Sequence, residues 1–156
     1  MKLEQSVILI KPDALQRGLL GEIIQRFERK GLKLAGLKMM YLTDEILDDW
    51  YEHHKGKDFF GDLKSFMKSA PIVGMLWEGI DAIATVRKLV GSTHGREAEA
   101  GSIRGDYSMS QQLNLIHASD SVEGAKKEKA LVFKKDEMID WQTKAMEFVY
   151  SKEERG

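Results

Sequence analysis

The sequence contains no cysteine. Disulfide frameworks, cysteine-based zinc or iron–sulfur sites and thiol chemistry are therefore excluded. It also lacks any apolar run long enough to span a membrane. Met1-Lys2-Leu3-Glu4-Gln5-Ser6 holds no long apolar stretch, so no signal peptide is expected. A cytoplasmic protein with no membrane partner is the expectation. Charge of one sign is missing too: 24 Lys and Arg face 25 Asp and Glu, for a formal net charge of -1. A sequence-independent nucleic-acid binder would be more basic, so no specific nucleic-acid partner is expected.

Several phosphate and nucleotide motifs are absent as well. Gly74-x4-Gly79 is followed by Ile80-Asp81, and Gly56-x4-Gly61 by Asp62-Leu63, so neither is a P-loop. The triplets His-Arg-Asp and Asp-Phe-Gly and the pattern Gly-x-Gly-x-x-Gly do not occur. A phosphate site in this chain must be built from side chains.

What is present is an ordinary folding composition. With 42% hydrophobic and 31% charged residues the 156-residue chain should fold, as one domain spanning 1–156. Ser6-Val7-Ile8-Leu9-Ile10 reads as a buried strand stopped by Pro12. Leu20, Ile23, Ile24 and Phe27 follow helical spacing, and Gly31 closes that helix. Leu32 to Leu42 reads as a second strand distorted at Gly36. Thr43-Asp44-Glu45 starts a helix with Ile46, Leu47, Trp50 and Tyr51 on its apolar side. Phe59, Leu63, Phe66 and Met67 outline a second short helix, so the pair forms a helical hairpin.

Pro71 to Trp77 is a continuous apolar run, hence a third strand ended by Glu78-Gly79. Ile80, Ile83, Ala84 and Val90 outline a helix carrying Arg87, with Gly91 as its stop. Ser92 to about Ser110 has no periodicity and reads as a long loop. Asn114 to His117 is a short fourth strand. Leu131-Val132-Phe133 and the amphipathic Trp141–Tyr150 segment pack back as a tail, and Lys152–Gly156 reads as a frayed end. The order β-α-β-β-α-β predicts an α/β (α+β) fold of ferredoxin-like type. It is a sandwich with a four-stranded antiparallel sheet, helices on one face and the hairpin inserted.

The stretch Asn114-Leu115-Ile116-His117-Ala118-Ser119-Asp120-Ser121 places a histidine where a strand turns into a helix. Asp120 with Glu123 resembles a capping box, and the free N–H groups of such a helix start favour anions. Glu128, two turns on, is positioned to reach His117 directly or through Ser119. A lone histidine near a strand end is usually a structural or surface residue. As a nucleophile it would attack a terminal phosphate and form a phosphohistidine, giving ping-pong transfer.

Arg87, Arg104 and Lys11 are the candidate phosphate cations, with Thr93 as a hydroxyl donor; solvated surface charge is the competing reading for each arginine. Of Phe59 and Phe60, one is expected to stack on a base and one to lie in the core. Asn114 and Lys11 are placed to bond sugar hydroxyls, and Tyr51 to set its hydroxyl near phosphates or histidine. His53 and His54, adjacent and unable to share a helix face as metal ligands, read as surface residues.

Together these segments resemble the nucleoside diphosphate kinase family over nearly the whole chain. The resemblance rests on Lys11-Pro12-Asp13-Ala14, Arg17-Gly18-Leu19-Leu20-Gly21-Glu22-Ile23, Tyr51 with Phe59-Phe60, Arg87 and Thr93, Gly101-Ser102-Ile103-Arg104-Gly105-Asp106, and the His117 stretch. It implies transfer of the γ-phosphate of a nucleoside triphosphate, commonly ATP, to a nucleoside diphosphate. His117 would be the phosphorylated residue. Lys11, Tyr51, Phe59, Arg87, Thr93, Arg104 and Asn114 would line the nucleotide site, with Ser119 and Glu128 supporting the histidine. Mg2+ would ride on the nucleotide phosphates, with no metal ligand from the protein. Relatives are homo-oligomers, mostly hexamers and sometimes tetramers.

Three departures from the family pattern stand out. Ala118 replaces a common glycine, Ser102 a threonine, and the loop Ser92–Ala100 lacks the prolines common there. None removes a group needed for chemistry. An RNA-binding module on the same sheet would show an Arg/Lys-Gly-Phe/Tyr-Gly/Ala-Phe run, which is absent. A catalytically inactive nucleotide-binding scaffold is the alternative to an active enzyme.

Overall fold

The computed structural model describes residues 3–155. Four strands, β1 (Leu3–Ile10), β2 (Lys33–Met40), β3 (Ile72–Ile80) and β4 (Ile116–Ala118), form one sheet in the order β2-β3-β1-β4. All neighbouring pairs are antiparallel, with Ile8 opposite Met75 and Leu9 opposite His117. The ferredoxin-like expectation holds. Between β1 and β2 lie α1 (Pro12–Gln16) and α2 (Leu20–Lys30); between β2 and β3 lies the hairpin α3 (Asp44–Trp50) and α4 (Phe60–Lys68). Then come α5 (Ala82–Val90), α6 (Ile103–Tyr107), α7 (Val122–Val132), α8 (Met146–Val149) and α9 (Lys152–Arg155).

β1 and β3 are apolar on both faces, so both faces must be covered. Ile8, Ile10, Val73, Met75 and Trp77 pack with α2 and α5, through Ile23, Phe27, Val86 and Val90. The alternate residues Val7, Leu9, Ile72 and Leu76 pack with Leu47, Trp50, Met67, Val132 and Phe133. The expectation of helices on one face therefore covers only α2 and α5. The hairpin and the end of α7 close the second face, because a continuous apolar run leaves no side of the strand for water.

Local details follow their chemistry. Gly31 ends α2 at φ 95°, a left-handed cap that glycine adopts without strain. Thr43 caps α3 by accepting the Ile46 N–H. The β2–β3 register shifts between Leu34 and Gly36, the distortion expected at Gly36.

Other boundaries differ from the sequence reading. β3 runs through Glu78-Gly79 to Ile80, because both residues pair with β1. The cap of α7 is Ser121, whose Oγ accepts the Gly124 N–H, while Asp120 Oδ1 accepts the Ser121 hydroxyl. The 92–110 segment contains α6, so Arg104 stands on a helix rather than a loop. Lys152–Arg155 is helical, started by reciprocal bonds between Ser151 and Glu154; Gly156 lies outside the described residues. Of the Trp141–Tyr150 segment only Met146–Val149 is helical, yet it packs back as expected: Trp141 Nε1 donates to Leu34 O and Tyr150 Oη accepts the Ile80 N–H.

Candidate active site

The short β4 carries His117 on the hairpin side of the sheet, and the hairpin stands off it to leave a cleft of about 680 Å³. One wall is Trp50, Tyr51, His54, Phe59 and Leu63; the other includes Arg87, Thr93, Gln111 and Gln112. Lys11, Arg104, Asn114, His117 and Glu128 form its inner end. The structure thus brings together every candidate named from the sequence, with Ser119 buried directly behind Glu128.

His117 Nε2 lies 2.7 Å from Glu128 Oε1. Glu128 Oε2 accepts the Ser119 hydroxyl at 2.5 Å, and Ser119 Oγ accepts the Val7 N–H at 2.9 Å. Glu128 therefore reaches His117 directly, and Ser119 holds its other oxygen from behind rather than standing between the two. A carboxylate only accepts, so Nε2 carries the proton and the lone pair resides on Nδ1. Trp50 meets the imidazole edge-on, with centroids 5.0 Å apart at 77°, and fixes the plane of the ring.

Lys11 leaves β1 buried, and its Nζ donates to Asn114 Oδ1 at 2.6 Å. Burial, with the Arg104 charge adding to it, lowers the Lys11 ammonium to about 8, against the opposing pull of Asp13. Both amide hydrogens of Asn114 go to backbone carbonyls, Thr93 O at 2.9 Å and Gln111 O at 2.8 Å. They are thus engaged within the protein rather than offered to a sugar.

Arg104 is buried and gives three donors to carbonyls: Asn114 O, Gly91 O and Ile116 O. Burial, then the neighbouring Arg87 charge, lowers its guanidinium to about 10, which leaves it charged at neutral pH. Two of its five N–H groups remain for a ligand. Arg87 and Thr93 are exposed on the opposite wall. Burial, with the Glu128 charge second, pushes the Tyr51 hydroxyl up to about 12, so it remains a donor at neutral pH. Phe59 is 49% exposed and lines the cleft, whereas Phe60 packs into the second core cluster.

The cleft also contains residues that sequence reasoning passed over. Trp50 reads as helix core, although its edge meets the nucleophile candidate. His53 and His54 stand in the cleft wall, with His54 between Tyr51 and Phe59. Burial, then His53 and Lys57, lowers the His54 imidazole. Their place two and three residues after Tyr51 is the available signal. Gln111 and Gln112 carried none.

The chain matches the family model described as nucleoside diphosphate kinase over residues 4–138. A nucleoside diphosphate kinase of Staphylothermus marinus is 55% identical over 141 residues, covering 90% of this chain and 100% of that protein. Another, of Parabacteroides distasonis, is 51% identical over 152 residues, covering 97% of this chain and 99% of that protein. Among solved structures, a halophilic nucleoside diphosphate kinase from Halobacterium salinarum in complex with CDP superimposes with a TM-score of 0.93. It is 45% identical over 96% of this chain and 100% of its own.

Proposed function

Because the chain belongs to the nucleoside diphosphate kinase family, and so moves a phosphoryl group from a nucleoside triphosphate to a nucleoside diphosphate, we propose that it does so through a phosphohistidine on His117. The observation that carries this is the His117–Glu128–Ser119 chain at the inner end of the cleft, beside buried Lys11 and Arg104 and with Arg87 on the wall. Nδ1 attacks the γ-phosphorus in line. A nitrogen–phosphorus bond forms, the bond to the β-phosphate oxygen breaks, and the diphosphate leaves with that electron pair. A second diphosphate reverses the step. Glu128 holds the Nε2 proton and offsets the positive charge that grows on the ring. No water needs activating, so no hydrolytic base is required.

Lys11 and the two arginines neutralise phosphate charge, with Thr93 and Tyr51 as hydroxyl donors. Phe59 stacks on the base, which reads purines and pyrimidines alike. The CDP held by the Halobacterium relative supports a site open to pyrimidines.

ATP is the commonest donor, and magnesium enters with it as part of the substrate. Among the described residues no group of three or more His, Asp or Glu side chains stands together to hold a metal, whereas the cations of the cleft suit phosphate oxygens. Bound there, the ion adds charge neutralisation on the phosphates.

The same proposal takes 1–156 as one kinase domain working in the cytoplasm without a nucleic-acid partner. Among the described residues no helix is long and apolar enough to cross a membrane. It also includes a homo-oligomer, hexamer first and tetramer second. The edge strand β2 supports assembly, with Leu37 and Met39, and Tyr41 just after it, at 51%, 61% and 66% exposure. Nothing favours the inactive scaffold. His117→Ala tests the reading: phosphoryl exchange should be abolished while nucleotide binding persists. Retained exchange would sink it.

A further inference from the structure

Asp13 belongs to the Lys11-Pro12-Asp13-Ala14 segment, yet the chemistry above gives it no task. Its carboxylate reaches across the fold: Oδ2 accepts the N–H of Leu115 at 3.0 Å. Oδ1 is buried and has no hydrogen-bond partner among the described residues. Leu115 is itself unusual. It is fully buried, not glycine, and has φ 72°. Ile116 N donates to Asn114 O at 2.8 Å, which closes a three-residue turn around Leu115. A γ-turn with positive φ is strained for a residue with a side chain and persists only where its surroundings hold it.

The β1 end supplies that hold from two sides. Lys11 N donates to Leu115 O at 2.9 Å while Asp13 takes Leu115 N. The turn has consequences on each side of it. Asn114, one residue before, fixes Lys11 Nζ and the Thr93 and Gln111 backbone. Two residues after it comes His117.

We propose that Asp13 is a positioning residue of the phosphotransfer site, holding the strained turn at Leu115 that sets Asn114 and His117. The simpler role of an acid in the first turn of α1 does not account for its aim. That helix has five residues, while the bonded oxygen points to a backbone amide 102 positions away. The charge of Asp13 also opposes the two influences that would neutralise Lys11.

The inference rests on His117 being the nucleophile, and its test is built to fail separately from that reading. Asp13→Ala removes the acceptor and leaves the Leu115 N–H buried and unpaired. Asp13→Asn keeps an oxygen that accepts it. Crystal structures should show the Leu115 φ positive in the parent and in Asp13→Asn, and relaxed to a negative value in Asp13→Ala. In exchange assays kcat of Asp13→Ala should fall about tenfold or more, while KM changes by less than about threefold, because Phe59 and Arg87 stand on the hairpin and α5, which the turn does not hold. Asp13→Asn should recover kcat to within about threefold of the parent.

An Asp13→Ala protein with the turn and kcat intact would overturn the proposal. So would a folded Asp13→Asn protein that keeps the N–H bond yet loses more than about thirtyfold in kcat. Asp13→Asn alone decides the matter if the alanine variant does not fold. The backbone readout is independent of activity, so it judges the turn even in an enzyme that formed no phosphohistidine.

Discussion

Lys11 must hold a positive charge where burial disfavours one. With its pKa near 8, the free enzyme loses that charge as pH rises, so kcat/KM for nucleotide should fall above about pH 8. Stability should move the other way. The lysine binds fewer protons folded than unfolded between about 8 and 10.5, so unfolding free energy rises through that window. The rise from this group is up to roughly 3 kcal/mol. Denaturant unfolding at pH 7.5 and 10 measures it, with Lys11→Met as the control that lacks the increment. Equal increments in the two proteins would contradict the assignment. Glu128 is the second residue-scale test. Glu128→Gln loses the charge that supports the imidazole and should lower kcat on the order of 100-fold. Stopped-flow rates of His117 phosphorylation check this, and an unchanged rate would remove Glu128 from the chemistry.

At the scale of elements, the helical hairpin and α6 make the cleft. Phe59 opens α4, so the hairpin carries the stacking face. Phe59→Ala should raise KM by roughly 5- to 100-fold for purine and pyrimidine nucleotides alike, the worth of one base–aromatic stack. A loss confined to purines would contradict stacking.

The short α6 is held from outside by Arg26 of α2. Arg26 bonds Asp106 at 2.6 Å, Gly101 O at 3.0 Å and the Tyr107 hydroxyl at 3.2 Å. The ion pair is partly exposed, which weakens it. Arg26→Met should therefore cost about 1–3 kcal/mol in urea unfolding and lower kcat, because Arg104 loses its base. Unchanged stability and rate would show that α6 holds itself.

Element legibility in the sequence followed length and period. The helix over Leu20–Lys30 was visible because four apolar residues and a closing glycine agree. α1 and α6, with five residues each, were not, because their stability comes from distant partners such as Arg26 and Leu115 rather than from local pattern.

At the scale of the molecule, the edge strand β2 has one end covered and the rest open. The tail lies along the bulged end of β2, with Ile139 N on Ala35 O and Trp141 Nε1 on Leu34 O. Beyond it Leu37, Met39 and Tyr41 stay exposed. If that stretch joins subunits, Met39→Lys should dissociate the assembly in sedimentation experiments, while a monomeric parent would contradict the oligomer proposal.

The topology and the identity of the cleft residues were legible because strand runs and motif spacing both survive in one dimension. The apolar runs of β1 and β3 require a second covered face, but they do not display which elements cover it. The internal use of Asn114 and Arg104 was hidden for another reason. Their partners are backbone carbonyls of Thr93, Gln111, Gly91 and Ile116, and sequence does not display carbonyl directions.

The relay through His117 is tested most directly by incubating the protein with Mg2+ and γ-labelled ATP in the absence of acceptor. The expected result is a label on the protein at His117, lost in acid and passed to added CDP or GDP. Absence of label on folded protein that binds ATP would contradict it.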